Sequence, residues 1–171
     1  MKVTELHAAF LEELGTLLPG WKFVASQRHF KHAEGAVNWL LHLAFVNHER
    51  DFDAIGDVAV EFLFNKKRVA IVGAQLGNIA GVGQTRHSVS SAVMAKEAAR
   101  SLISEFNQIG LPFLQRYSIP AVTAAVLQAG GPEARLISPF AQNHAAQVAV
   151  LQQLGAPPNN SFKPRPLRGS A

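Results

Sequence analysis

The 171-residue sequence predicts an α+β fold: a four-stranded antiparallel meander with an N-terminal helix before it and three or more C-terminal helices packed on one face. Three observations predict this. Residues 21–74 alternate apolar and polar side chains with the period of strands. Residues 88–154 break into segments that carry helix start and stop signals. A glycine-rich stretch, 75–87 with Gly77, Gly81 and Gly83, separates the two regimes.

The first helix is expected over residues 5–18. Thr4 offers a hydroxyl N-cap, and Leu6, Phe10, Leu14 and Leu17 recur at helical spacing. Pro19 and Gly20 stop it. The first strand is read over 21–32, with Trp21, Phe23 and Ala25 on one face. Ala33, Glu34 and Gly35 form a turn into a second strand at 36–46, where Val37, Trp39, Leu41, Leu43 and Phe45 share a face. A polar loop is expected over 47–56, a third strand over 57–64 and a fourth over 68–74, joined by the turn Asn65-Lys66-Lys67. A long helix follows over 90–109, with Gly110 as its stop. Residues 112–117 read as a helical turn. Ser118 with Pro120 opens a helix to Ala129, and Ser138 with Pro139 opens another to Leu154. The pattern at 132–137 fits both a helical turn and an extended link.

Length and composition predict one domain over 1–155. A globule of this size buries roughly 70% of its unfolded surface and needs no disulfide or metal to fold. Cysteine is absent, which excludes disulfides, thiolate metal sites and cysteine nucleophiles. Glu5, Glu12 and Glu13 interrupt the N-terminal apolar run, so neither a signal peptide nor a membrane span is expected, and the predicted location is cytoplasmic. Residues 156–171 shift to Pro, Asn, Ser and basic side chains, and are expected to form a flexible basic tail with Lys163, Arg165 and Arg168. The net charge of +4 is unevenly spread. Residues 1–64 carry nine acids against five bases, and residues 65–158 carry eight bases against three acids. Neither half is dense enough to be a nucleic-acid footprint by itself.

The candidate chemistries each lack a required part. The loop from Gly77 to Arg86 could cradle phosphate, but it has neither the third glycine of a dinucleotide fingerprint nor the lysine of a P-loop. Asp51 to Asp57 begins like a calcium loop, yet Ile55 and Phe62 stand where oxygen ligands are needed. The seven histidines show no helical metal pair, so no metal or cofactor is expected. Ser88, Ser90 and Ser91 lie beside His87 without a nucleophile elbow, and helix capping accounts better for Ser88 and Ser90. Glu49, Asp51, Asp57 and Glu61 could supply an acid/base pair. The turn from Asn65 to Arg68, with Arg86 and the tail, could meet phosphate.

One broader pattern is familiar: Gly20-Trp21-Lys22-Phe23, then Arg28-His29-Phe30, a strand ending in Val58-Ala59-Val60-Glu61-Phe62, and later Gly110-Leu111-Pro112-Phe113-Leu114. Over residues 5–129 this resembles the bacterial family called domain of unknown function 4304. The resemblance implies a four-stranded sheet with C-terminal helices and no catalytic residues, in proteins similar to the immunity proteins that accompany secreted toxins. The expected function is therefore a non-catalytic, antitoxin-like inhibitor that blocks another protein's active site. Its first candidate contacts are the acidic loop residues Glu49, Asp51 and Asp53, and next Arg86 and His87. The alternatives are nucleic-acid association through the basic turn and tail, and an enzyme with an acid/base site around His42, Glu61 or His87.

Overall fold

A computed structural model describes residues 1–155. The expected tail, with Lys163, Arg165 and Arg168, lies outside the described residues. The architecture is α+β, with an N-terminal helix, an antiparallel sheet and C-terminal helices.

Helix α1 (Val3–Leu17) buries Leu6, Phe10 and Leu14. It starts earlier than the Thr4 cap implies, because the Glu5 carboxylate accepts the Lys2 backbone N–H at 2.7 Å and secures the first turn. The sheet has six strands where four were expected. The first expected strand is two, β1 (Lys22–Val24) and β2 (His29–Glu34). They are joined by a 3-10 turn over Ala25–Gln27 that closes with Arg28 at φ 51°. Alternation continues through this reversal, so periodicity alone could not reveal it.

Strands β3 (Val37–Asn47) and β4 (Phe52–Phe64) form the long central hairpin. The expected polar loop over 47–56 shrinks to a few residues, closed by the His48 N–H donating to the Asp51 carbonyl at 2.9 Å. Asp53 to Gly56 are strand, not loop. At about 3.3 Å per residue β4 is roughly 40 Å long. That length lets it pair on one side with two strands in succession: β5 (Lys67–Gln75) along 57–64, and β6 (His87–Val89) along 52–54. The glycine-rich stretch supplies the short helix α2 (Leu76–Ile79) and then β6. Its loop closes tightly: a Cβ on Gly77 would sit 1.9 Å from the Gly83 carbonyl oxygen.

Helix α3 (Ala92–Glu105) is capped by the Ser91 hydroxyl, which accepts the Met94 N–H at 3.2 Å. Gly110 was expected to stop the helix and does not. The helix widens into one π-turn (Phe106–Gly110) and runs on as α4 (Leu111–Tyr117). Pro112 has no N–H to donate backward, and the widened turn accommodates that loss. Helices α5 (Pro120–Ala129), α6 (Gly131–Ile137) and α7 (His144–Leu154) complete the layer. Ser118 and Ser138 do not cap the starts of the helices that follow them; they stand at the C-terminal ends of α4 and α6. Ser118 accepts the Trp39 indole N–H at 2.7 Å, and Ser138 donates to Gln147 at 2.8 Å.

The core lies between the helices and one sheet face, where Leu41, Leu43, Phe52, Ala54, Val58 and Val60 are fully buried. A Cβ on Gly110 would lie 3.1 Å from Val58 and 3.0 Å from Leu76, so the π-turn rests directly on β4.

Candidate functional site

Among the described residues no helix layer covers the middle of the other face of the sheet, and strand register orders it into rungs. One rung is His29, His42, Asp57 and Gln75 across β2 to β5. The next is Lys31, Leu40, Ala59 and Gly73, and the third is Ala33, Asn38, Glu61 and Ile71. Ala59 and Gly73 are small, and leave a hollow at that end of the middle rung between Asp57 and Gln75 on one side and Glu61 and Ile71 on the other. Gly73 is required there: a Cβ would lie 2.5 Å from the Val58 carbonyl oxygen and 2.8 Å from the Ala59 Cβ.

Two adjoining cavities, about 570 and 520 Å³, share His42, Asp57, Ala59 and Ile71 and make one groove. Each falls within the size range of ligand sites. One wall is the segment after α6, with Ser138, Pro139, Phe140 and Asn143. The opposite end is formed by Gln27 and Arg68. The α6–α7 wall is anchored to the edge of β5. Buried Gln147 donates to the Ile71 carbonyl at 3.2 Å and accepts from Ser138, and His144 Nε2 donates to the Ser138 carbonyl at 2.7 Å. These bonds also cover part of an edge that would otherwise pair with another chain. Phe140 stands at the rim, 61% exposed.

Asp57 is the unusual group in this groove. Its Oδ2 is 3.5 Å from His42 Nδ1, while its Oδ1 is buried with no hydrogen-bond partner among the described residues. Glu61, in contrast, accepts from Asn38 Nδ2 at 2.9 Å and sits 3.7 Å from Arg68. His29 is nearly buried, and desolvation, reinforced by the neighbouring His42, lowers its pKa below the ordinary 6.5. Asp57 and Glu61 are four strand positions apart, roughly 13 Å, too far to act as one acid/base pair. Among the described residues no group of three or more His, Asp or Glu is placed to hold a metal ion.

The residues singled out from sequence are divided. Glu49 is exposed and Asp51 half-buried on the β3–β4 turn. Asp53 is engaged internally: Ser88 Oγ donates to it at 2.6 Å, His48 Nε2 lies at 3.3 Å and Arg86 at 3.5 Å. The Ser88 hydrogen bond is the main reason its carboxyl titrates below the ordinary 3.8. Ser88 therefore donates to a carboxylate and has no histidine partner among the described residues. His87 points to the helix side, 9% exposed, with Nε2 2.9 Å from Glu105, so it joins β6 to α3. The basic turn at 65–68 and Arg86 lie at opposite ends of β4, roughly 30 Å apart by strand length, and do not make one patch. His42 and Glu61, named as acid/base candidates, both line the groove, while Asp57 was considered only as half of a carboxylate pair. The period-two spacing of 57, 59 and 61 placed them on one face, but only register brings His29, His42 and Gln75 alongside.

No protein-family model matches this sequence, and neither the curated proteins nor the solved structures yield a match. No helix among the described residues is long and apolar enough to cross a membrane.

Proposed function

We propose that the chain is a non-catalytic binding protein, an immunity- or antitoxin-like inhibitor, that covers part of a partner protein with the open face of its sheet. The supporting observation is the groove: a hollow apolar floor at Ala59 and Gly73, the polar side chains of His42, Asp57 and Gln75 on one side and of Asn38 and Glu61 on the other, and an exposed aromatic at the rim. Contact surfaces that hold a partner combine such an aromatic anchor with a pocket and a polar border. The acidic turn with Glu49 and Asp51 lies at one end of the same hairpin and would steer encounter with a basic surface. Blocking the hollow tests this. Ala59→Arg fills the floor from the solvent side. A protein retained from the native host by the unaltered chain, identified and titrated, should bind the variant at least about tenfold more weakly, a loss of about 1.4 kcal/mol. Equal binding to both, or no protein retained, contradicts the proposal.

A second reading rests on His42 and Asp57. A histidine facing a carboxylate in a groove is the arrangement of a general base with an orienting acid. Among the described residues that line the groove the one hydroxyl, Ser138, is buried and bonded to Gln147, so the attacking group would have to be water or part of the substrate. Turnover in a substrate screen that disappears with His42→Ala would establish this chemistry, and turnover indifferent to it would exclude His42.

A further inference from the structure

We propose that the Asp57 carboxylate is the anchor for an arginine side chain that a partner protein inserts into the open-face groove. This rests on the docking role proposed above and names the chemistry of its central contact.

The charges of the face point to a cation. Asp53 is matched by Arg86, and Glu61 by Arg68, each within 4 Å. Asp57 has no arginine or lysine partner among the described residues; its single neighbour of opposite character is His42, 3.5 Å from Oδ2. Its side chain is 32% exposed while Oδ1 is buried, so the oxygen a ligand can reach is Oδ2. A carboxylate left in a groove without a counter-cation attracts one, and a guanidinium forms the stronger charge-assisted hydrogen bonds.

The surroundings favour arginine over other cations. An arginine stem needs an apolar track, and Ala59, Gly73 and Ile71 line one next to Asp57. Its five N–H donors need more acceptors than one carboxylate supplies. The side chains of Asn78 and Asn143 line the same cavity and make no hydrogen bond to other described residues; Gln75, Asp57's cross-strand neighbour, accepts only a long bond from Gln84 Nε2, at 3.5 Å. Lysine, with a compact ammonium and three donors, would use fewer of these groups. Phe140 at the rim offers a ring face for the guanidinium or its stem.

The test is an NMR titration of the full chain, labelled with nitrogen-15, with three blocked peptides: acetyl-Gly-Arg-Gly-amide, its lysine counterpart and its citrulline counterpart. Citrulline keeps the shape of arginine and removes the charge. The arginine peptide should shift amide signals at 57–59, 73–75 and 138–143. It should bind at least about tenfold more tightly than the citrulline peptide, and more tightly than the lysine peptide. Asp57→Asn should abolish the difference between arginine and citrulline, with signal dispersion showing that the fold is kept. Equal binding of arginine and citrulline, equal binding of lysine, shifts elsewhere, or no shifts at tens of millimolar peptide would each overturn the assignment. The citrulline comparison needs no variant, so it stands even if Asp57→Asn does not fold. The outcome separates from that of the docking proposal. A partner lost on Ala59→Arg without any arginine response removes the anchor and leaves the docking face. An arginine response with no protein partner keeps the guanidinium site and removes the inhibitor role.

Discussion

Asp53 and Asp57 lie four positions apart on β4, on the same face, in opposite circumstances. Asp53 gathers Ser88, His48 and Arg86, and so ties the β3–β4 turn to β6. Asp53→Ala would leave the Ser88 hydroxyl, the His48 ring and the Arg86 guanidinium without this acceptor, and should destabilise the chain by about 1–2 kcal/mol, read as a lower urea midpoint. Because its folded pKa is depressed, the Asp53 contribution is fully present above the ordinary 3.8 and is lost as pH falls through the folded value. His7 and His29 act at higher pH. Burial is the main cause of the lowered pKa in both, and His7 sits 4.4 Å from the ring centroids of Phe45 and Phe52. A histidine held neutral in the folded state favours unfolding once the unfolded chain takes up its proton. Stability should therefore decline as pH drops below about 6.5, well before the acid limb of Asp53 begins. Urea midpoints measured from pH 7.5 to 5 should show this decline, and His7→Phe should flatten part of it. A flat profile for the unaltered chain would contradict the assignment.

Gly110 and Gly73 show how the same substitution differs between a helix and a strand. At Gly110 an added methyl meets Phe106 at 2.7 Å and Leu76 at 3.0 Å, both side-chain atoms that can turn away. Alanine also gains about 1 kcal/mol of helix propensity over glycine, which offsets much of the crowding. At Gly73 the obstacle is backbone, the Val58 carbonyl oxygen, and a strand cannot yield there without losing ladder bonds. Gly73→Ala should thus cost about 2–3 kcal/mol, and Gly110→Ala less than half of that, in thermal or urea unfolding. The reverse order would mean that the π-turn is the more tightly packed of the two sites. Side-chain periodicity revealed the interior of most elements and missed several of their breaks. The turn at Arg28 keeps the alternation while reversing the chain, so one strand was read where two stand. The acids of 47–56 read as loop because their polarity resembles a turn, yet Asp53 is a strand residue facing away from the core, as Asp57 is in the strand expected for it. Gly110 and Pro112 have the chemistry of a helix stop, and only the contact with Val58 and Leu76 shows that the glycine serves close packing.

The molecule as a whole is asymmetric: one face of its sheet is buried under helices, and the other is left hollow and polar. Sequence showed the covered face clearly, since large apolar side chains recur along it. The open face was obscure because its defining feature is the meeting of four strands at His29, His42, Asp57 and Gln75, positions 13 to 18 residues apart that mean nothing singly. If this face serves binding, Asp57 should be kept there at the expense of folding. A buried oxygen without a partner costs about 1–3 kcal/mol, while an exposed pair such as Asp57 with His42 returns at most about 1 kcal/mol. The most direct measurement is the unfolding free energy of Asp57→Val against the unaltered chain in urea at pH 7. A gain of about 1 kcal/mol, with the fold retained, is the expected result. A loss of similar size would mean that Asp57 holds the sheet together and is not reserved for a ligand.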